Sequence, residues 1–207
     1  MKKSLFILTA LSMSFFLMAQ GQSKQKEIGL VFNNLNNFGL TFRIGTEKAL
    51  WRFNTLYLSG NNVTQTADSS ETKNISNGFG LKLGREYRKT IIGNLEFRFG
   101  ADLSFNYSNS KVENNDKSIN NADILRQSIT YQPGINLVLG FNYVIHDKFV
   151  IGAEVMPYFS YITGTSVEKY YHSNNVNEIK SKISGFSYGL SNSSVLVSLI
   201  YRFGIKK

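Results

Sequence analysis

The sequence predicts an all-β protein, an eight-stranded antiparallel up-and-down transmembrane β-barrel, and three observations carry that prediction. Apolar side chains recur at every second residue over long segments. Short links and longer polar links alternate between those segments. The 207 residues, about one domain, hold 16 Phe, 11 Tyr and 17 Gly against 2 Pro and no Cys. That mixture suits strands, turns and an aromatic membrane interface better than a helical bundle.

The first element is an address. Met1-Lys2-Lys3-Ser4 is a positive head, Leu5 to Met18 an apolar stretch, and Ala19-Gln20-Gly21 offers small residues at alternate positions to a peptidase. This three-part pattern reads as a secretory signal over residues 1–21, cut after Ala19 or Gly21, with the barrel domain over 22–207. An uncleaved anchor is the alternative, disfavoured because the apolar run is short for a bilayer. No later stretch has 20 consecutive apolar residues, which argues against a helical membrane protein. The absence of Cys excludes disulfides, thiolate metal sites and an amino-terminal lipid anchor. The formal charge of +9 drops by two when Lys2 and Lys3 leave. The remaining cations are scattered, so we expect contact with anionic lipid headgroups and no nucleic acid.

Strands are expected at Glu27–Asn33, Phe38–Gly45, Ala49–Gly60, Gly78–Arg88, Gly93–Ser108, Gln127–Ile145, Phe149–Thr165 and Phe186–Phe203. The sixth shows why. Ile129, Tyr131, Pro133, Ile135, Leu137, Leu139, Phe141, Tyr143 and Ile145 form one row, while Ser128, Thr130, Gln132, Gly134, Asn136, Val138, Gly140, Asn142 and Val144 form the other. A helix would mix these two sets on every face, whereas a strand separates them. Pro157 should break a ladder bond, so a bulge or a shifted register is expected there, and the register at Pro133 is open as well.

Thr46-Glu47-Lys48, Lys89 to Ile92 and His146-Asp147-Lys148 are tight links. Asn61 to Asn77, Asn109 to Arg126 and Ser166 to Gly185 are long, polar and rich in Asn, Ser and Lys. Apart from the brief Asn34 to Asn37 link, short and long alternate, as periplasmic turns and extracellular loops do. An even strand number puts both termini on the short-turn side.

Alternation alone leaves open whether the apolar row faces lipid or a dry core, and a soluble lipocalin is also an eight-stranded barrel. Volume decides. An eight-stranded bore is just wide enough for its own side chains, and the Phe, Tyr and Leu rows are too bulky for it. The slighter rows belong inside, and the bulky ones face lipid. Aromatics agree, with Trp51, Tyr87, Tyr143, Phe149, Tyr201 and Phe203 near the short turns and Tyr57, Tyr107, Tyr131 and Tyr161 toward the long links.

In the last strand Val195, Val197, Leu199, Tyr201 and Phe203 form an apolar row ending in Tyr201-Arg202-Phe203. This resembles the closing strand of bacterial outer-membrane barrels, and the whole chain after the signal resembles small barrels of the OmpA/OmpX type, with Asn, Lys and Ile usage similar to the Bacteroidota branch. The resemblance implies an integral outer-membrane protein surrounded by lipid and lipopolysaccharide and inserted by the outer-membrane assembly machinery. The chain stops shortly after that closing strand, so the peptidoglycan-binding domain of longer relatives is expected to be absent, and no cofactor is expected. Gly204-Ile205-Lys206-Lys207 departs from the pattern by extending past the aromatic.

Charges predicted to face inward are Arg43, Arg52, Lys82, Glu86, Arg88, Glu96, Arg98, Asp102, Glu154 and Arg202. We expect an ionic network that fills the lumen, because eight strands leave no room for an open pore. On the longest polar link Tyr170, Tyr171 and His172 are candidate contacts for an unidentified surface partner. No Gly-rich phosphate loop, HExxH or GxSxG occurs. The expected role is non-enzymatic, structural or interactive. The alternatives are a lipid A-modifying enzyme built on Glu168, His172 and Ser173, and a soluble lipocalin-like carrier.

Overall fold

The computed structural model describes residues 25–34, 37–68, 70–116, 123–172, 175–190 and 194–204, and the expected signal peptide lies outside these. The strands are β1 (Gln25–Asn34), β2 (Asn37–Gly45), β3 (Ala49–Thr66), β4 (Ser70–Ile92), β5 (Leu95–Asp116), β6 (Asp123–Ile145), β7 (Phe149–Val155), β8 (Tyr158–His172), β9 (Asn175–Gly189) and β10 (Val195–Phe203). From β1 to β7 each strand pairs antiparallel with the next; β7 then pairs with β10, and β10 pairs with β1. The result is a closed ring of eight strands. Both ends of the described chain sit at the short-turn end, where Lys26 pairs with Phe203 and Gln25 with Gly45.

The turns at that end follow from local chemistry. His146 and Asp147 both take positive φ, 49° and 59°, and Lys148 N–H donates to the Ile145 carbonyl at 3.2 Å. Two left-handed central residues make a type I′ hairpin, whose twist matches that of the flanking strands. The fourth strand runs on through the expected Lys89–Ile92 link, and the turn falls at Gly93, with φ of 51°.

The expected apolar rows do face outward. Along the lower part of β6, exposed Leu137, Leu139, Phe141 and Tyr143 alternate with buried Val138, Gly140, Asn142 and Val144. Leu137 is 54% exposed and Leu103 64%, values that only an apolar solvent tolerates across a whole circumference. The lipocalin alternative, with its apolar interior, is overturned. Aromatics gather at two levels. Tyr87 stacks on Phe99 and Tyr201 on Phe203 near the short turns, while Tyr107 meets Tyr131 and Tyr161 meets Phe186 further up. Arg85 points outward at the lower level and lies over Trp51, 5.1 Å from the ring centroid, holding its charge at an interface rather than in lipid. Tyr131 and Tyr143 are about twelve residues apart, which at about 3.3 Å per residue and a tilt of about 40° spans roughly 30 Å. That is the thickness of a hydrocarbon layer.

Three expectations are corrected. The long polar links are mostly strand, because β3 and β4 pair continuously up to Thr66↔Glu71, β5 and β6 up to Asn114↔Ile124, and β8 and β9 up to His172↔Asn175. Strand seven divides at Met156 and Pro157 into β7 and β8, yet Leu139↔Val155 and Asn136↔Tyr158 keep one register against β6. The proline carbonyl still accepts from Leu137 N–H at 2.9 Å, so the missing donor interrupts the ladder without shifting it. Pro133 behaves alike, with the β6–β8 register unchanged between Tyr131↔Thr163 and Gly134↔Ser160. Strand eight is also two strands: from Tyr158↔Gly189 to Val155↔Val195 one chain advances three residues and the other six.

These extensions make the wall uneven. The β1–β2 hairpin closes at Asn34↔Asn37, while β3, β4, β5, β6, β8 and β9 continue upward as a sheet. Above Tyr107 the β5 extension rises by roughly 20–25 Å at the same rise and tilt. The edge of β3 above Asn54 facing β2 and the edge of β9 away from β8 have no partner strand among the described residues.

Candidate functional site

The lumen is filled by charge. Within the ring every second residue points inward, and the short-turn half of the bore receives Arg43, Arg52, Arg88, Arg98 and Arg202 against Glu27, Glu86, Glu96, Asp102 and Glu154. Glycine makes room for them. Gly84 stands between Arg52 and Asp102 in the strand register, and Gly140 between Arg98 and Glu154. A Cβ on Gly140 would lie 2.3 Å from the Ala153 carbonyl oxygen and 2.9 Å from the Glu154 Cβ, so the large ion pairs lie across the bore only because these positions have no side chain.

Three glutamates organise the network. Glu154 accepts from Arg52 Nη1 and Nη2 at 2.9 and 2.8 Å and pairs with Arg98 Nη2 at 2.8 Å. Glu86 accepts from Arg88 Nε at 2.6 Å and Arg52 Nη1 at 3.1 Å, with Arg98 at 3.5 Å and Arg43 at 3.6 Å. Glu27 takes both Arg88 Nη1 and Nη2 at 2.7 Å, Arg202 Nε at 2.8 Å and Gln25 Nε2 at 2.7 Å. Asp102 pairs with Arg52 Nε at 3.3 Å, and Glu96 accepts from Arg202 Nη2 at 3.1 Å and Asn142 Nδ2 at 3.3 Å. Arg43 is tied least, touching Glu27 and Glu86 only at 3.6 Å with no hydrogen bond from its guanidinium.

All of the inward-facing residues expected from the sequence lie in the lumen, with one difference of role. Lys82 is buried beside them but has no carboxylate within 4.0 Å among the described residues; its ammonium donates to the Met156 sulfur at 3.5 Å. Sequence reasoning missed Glu27, the centre of the lower cluster. Its signal was there: once the β1–β2 hairpin is registered, Glu27 falls opposite Arg43, and in the ring it faces Arg202 of the last strand.

This arrangement can block and brace: Glu27, Glu86, Glu96 and Glu154 accept hydrogen bonds, and Asp102 is held by its ion pair with Arg52 alone. Arg43, Arg52, Arg98, Glu86 and Glu154 have at most 1% exposure, and Leu50 and Val138 fill between them. The bore is therefore divided into two dead-end recesses. At the short-turn end lies a wide cleft of about 1330 Å³ bounded by Lys48, Arg88, Glu96, Lys148 and Arg202. At the other end a vestibule of about 470 Å³ opens beside the low β1–β2 hairpin, with Lys82 and Asn136 in its depth and Phe38 and Ser59 at its rim.

The loop candidates lie on strands. Tyr170 and Tyr171 stand near the top of β8, opposite Ile124 and Asp123 of β6, and His172 closes β8 opposite Asn175. Tyr171 is exposed and Tyr170 half-buried. Glu168, one of the residues considered for catalysis, is held below the usual carboxylate range first by its hydrogen bond from Arg126 and then by Tyr170. Ser173 lies outside the described residues.

Three solved structures similar to this chain are the following. A major outer membrane protein from Thermus thermophilus matches over 88% of this chain and 100% of its own, at 10% identity and a TM-score of 0.52. The N-terminal β-barrel domain of Pseudomonas aeruginosa OprF matches over 89% and 100%, at 13% identity and a TM-score of 0.41. Ail, the attachment invasion locus protein of Yersinia pestis, matches over 88% and 100%, at 12% identity and a TM-score of 0.33. No protein-family model and no curated protein matches the sequence. The structural neighbours are outer-membrane β-barrels, and the likeness to the Thermus protein is one of fold.

Proposed function

We propose that this chain is an integral protein of a bacterial outer membrane, a small barrel of the OmpA/OmpX type without enzymatic activity, which acts as a braced scaffold for a surface-contact sheet. The observation that carries this reading is the pairing of a closed bore with a one-sided wall. The ionic plug leaves no continuous path for solute, while six strands continue beyond the lipid-facing band and end in two unpaired edges. Paired strands are a rigid way to present residues away from a membrane, and open edges offer backbone donors and acceptors to an extended partner chain. Tyr170 and Tyr171 stand at the top of that sheet as contact anchors. By this reading the long hairpins face outside the cell and the short turns face the periplasm, with lipid and lipopolysaccharide around the band.

Shortening the β3–β4 and β8–β9 hairpins to the level of Tyr107 tests the role. The trimmed barrel should still insert and should still migrate faster unheated than heated in detergent electrophoresis, while cross-linking of surface partners on intact cells is lost. Partner cross-links that survive trimming, or sustained discrete conductance from the intact protein in a planar bilayer, would refute the reading.

A further inference from the structure

The vestibule above the plug has a volume, about 470 Å³, of the size that holds small ligands, and its chemistry is specific. Lys82 is 7% exposed, and its ammonium donates to a thioether sulfur, a weak acceptor. Among the described residues no Asp or Glu lines the recess; Asp102 is turned to Arg52 Nε below it. Two further lining groups are unused. The Asn136 Nδ2 donor and the Asn106 Oδ1 acceptor are buried without a hydrogen-bond partner. The strand register sets Ser104 opposite Lys82 and Gln132 opposite Asn106, so hydroxyl and amide groups surround the ammonium in adjacent layers.

From this we propose that the vestibule binds a small polyhydroxylated carboxylate of the uronic-acid class, with its carboxylate on the Lys82 ammonium and its hydroxyls on Asn106, Asn136 and Ser104. A buried ammonium facing sulfur lacks the strong acceptor that a carboxylate supplies. Unused donors and acceptors side by side match hydroxyl groups, which do both. An amino-acid zwitterion would need an anionic side chain in the wall, and the described lining has none. A phosphate dianion calls for more than one cation or for the bidentate guanidinium that the plug keeps to itself. The plug beneath makes the recess a dead end, so the ligand is held rather than conducted. The proposal is independent of the surface-contact sheet and needs no partner protein.

The test is titration of the full barrel, refolded in micelles, with D-galacturonate and with D-galactose, which lacks the carboxylate, followed by amide chemical shifts. Galacturonate should saturate shifts around the vestibule and galactose should bind roughly tenfold or more weakly. Lys82→Met, which keeps the apolar stem, should reduce galacturonate to the level of galactose. Ser104→Met, which narrows the recess and leaves the charge, should weaken both sugars and serves alone if the lysine variant does not refold. The absence of saturable binding by galacturonate, equal binding of the two sugars, or galacturonate binding indifferent to both substitutions would each overturn the proposal.

Discussion

Replacing Glu154 by Gln isolates the energetic logic of the plug. The carboxylate accepts two charge-assisted hydrogen bonds from Arg52 and pairs with Arg98 at 2.8 Å, with no access to solvent. Arg52 keeps Glu86 at 3.1 Å and Asp102 at 3.3 Å, whereas Arg98 is left with Glu86 at 3.5 Å. The loss is therefore concentrated on one guanidinium stranded in the bore. Removing one partner of a buried pair costs about 3–5 kcal/mol, while removing both often costs far less. We expect Glu154→Gln to lose about 3 kcal/mol, and the double variant Glu154→Gln with Arg98→Met to recover roughly 1–2 kcal/mol of that. Urea unfolding in lipid vesicles reads the difference, and Trp51, the only tryptophan, reports it by fluorescence from the lower aromatic level. An unchanged midpoint for the single variant, or a double variant less stable than the single one, would refute the reasoning.

Other outcomes follow from the same geometry. Arg43→Met should cost less than about 1 kcal/mol in the same unfolding assay, since that guanidinium is buried with contacts at 3.6 Å and no hydrogen bond. Leu137→Arg, in the middle of the lipid-facing band, should cost about 2–4 kcal/mol in vesicles. Gly140→Val should prevent folding to the fast-migrating form, because even a Cβ there falls 2.3 Å from a backbone carbonyl oxygen. For the upper sheet, Arg126 and Tyr170 depress the Glu168 carboxyl. A depressed folded-state value means the stabilisation is present above the usual carboxylate range and is lost as pH falls through the lowered one. Amide protection of upper β6 and β8 should accordingly be flat between about pH 6 and 8 and weaken below about pH 4, while Glu168→Gln removes that acid-side dependence.

What the sequence made legible was the part in contact with lipid. Leu137, Leu139, Phe141 and Tyr143 alternate with Val138, Gly140 and Asn142 because one side of the strand must dissolve in hydrocarbon and the other must fit a narrow bore. Above the band that constraint ends. Segments such as Asn61-Asn62-Val63-Thr64-Gln65-Thr66 have water on both faces, so they carry no period-two signal and read as loop although they are paired strand. Their register comes from hairpin continuity and cross-strand pairs such as Arg126 with Glu168, which no single segment displays. Glu27 was hidden for a related reason. Arg43 faces it across the local β1–β2 hairpin, but Arg88 and Arg202 come from β4 and β10, far apart in sequence, and only closure of the ring brings them to it. The split of strand seven was visible as Pro157, and that of strand eight had a sign in Ser191-Asn192-Ser193-Ser194, a run of loop-favouring residues that the alternation on either side obscured.

The plug also explains how so polar an interior coexists with a unique fold. A strand with apolar residues on both faces could slip by one residue at little cost, because either row would be acceptable to lipid. Here a slip would carry Arg43, Arg52, Arg98 and Glu154 from the bore into the hydrocarbon band, and each exposed arginine there costs about 2–4 kcal/mol. A shift of β2, β3, β5 or β7 would put at least one such charge in lipid and leave its partner unpaired inside. The ion pairs need not add net stability to do this. A neutral, well-packed lumen could be as stable or more so, yet it would give up the penalty that distinguishes the native register from its neighbours. Charge in the bore and grease on the outside therefore fix the same alignment from opposite sides, and the glycines at 84 and 140 are what let both requirements be met within eight strands.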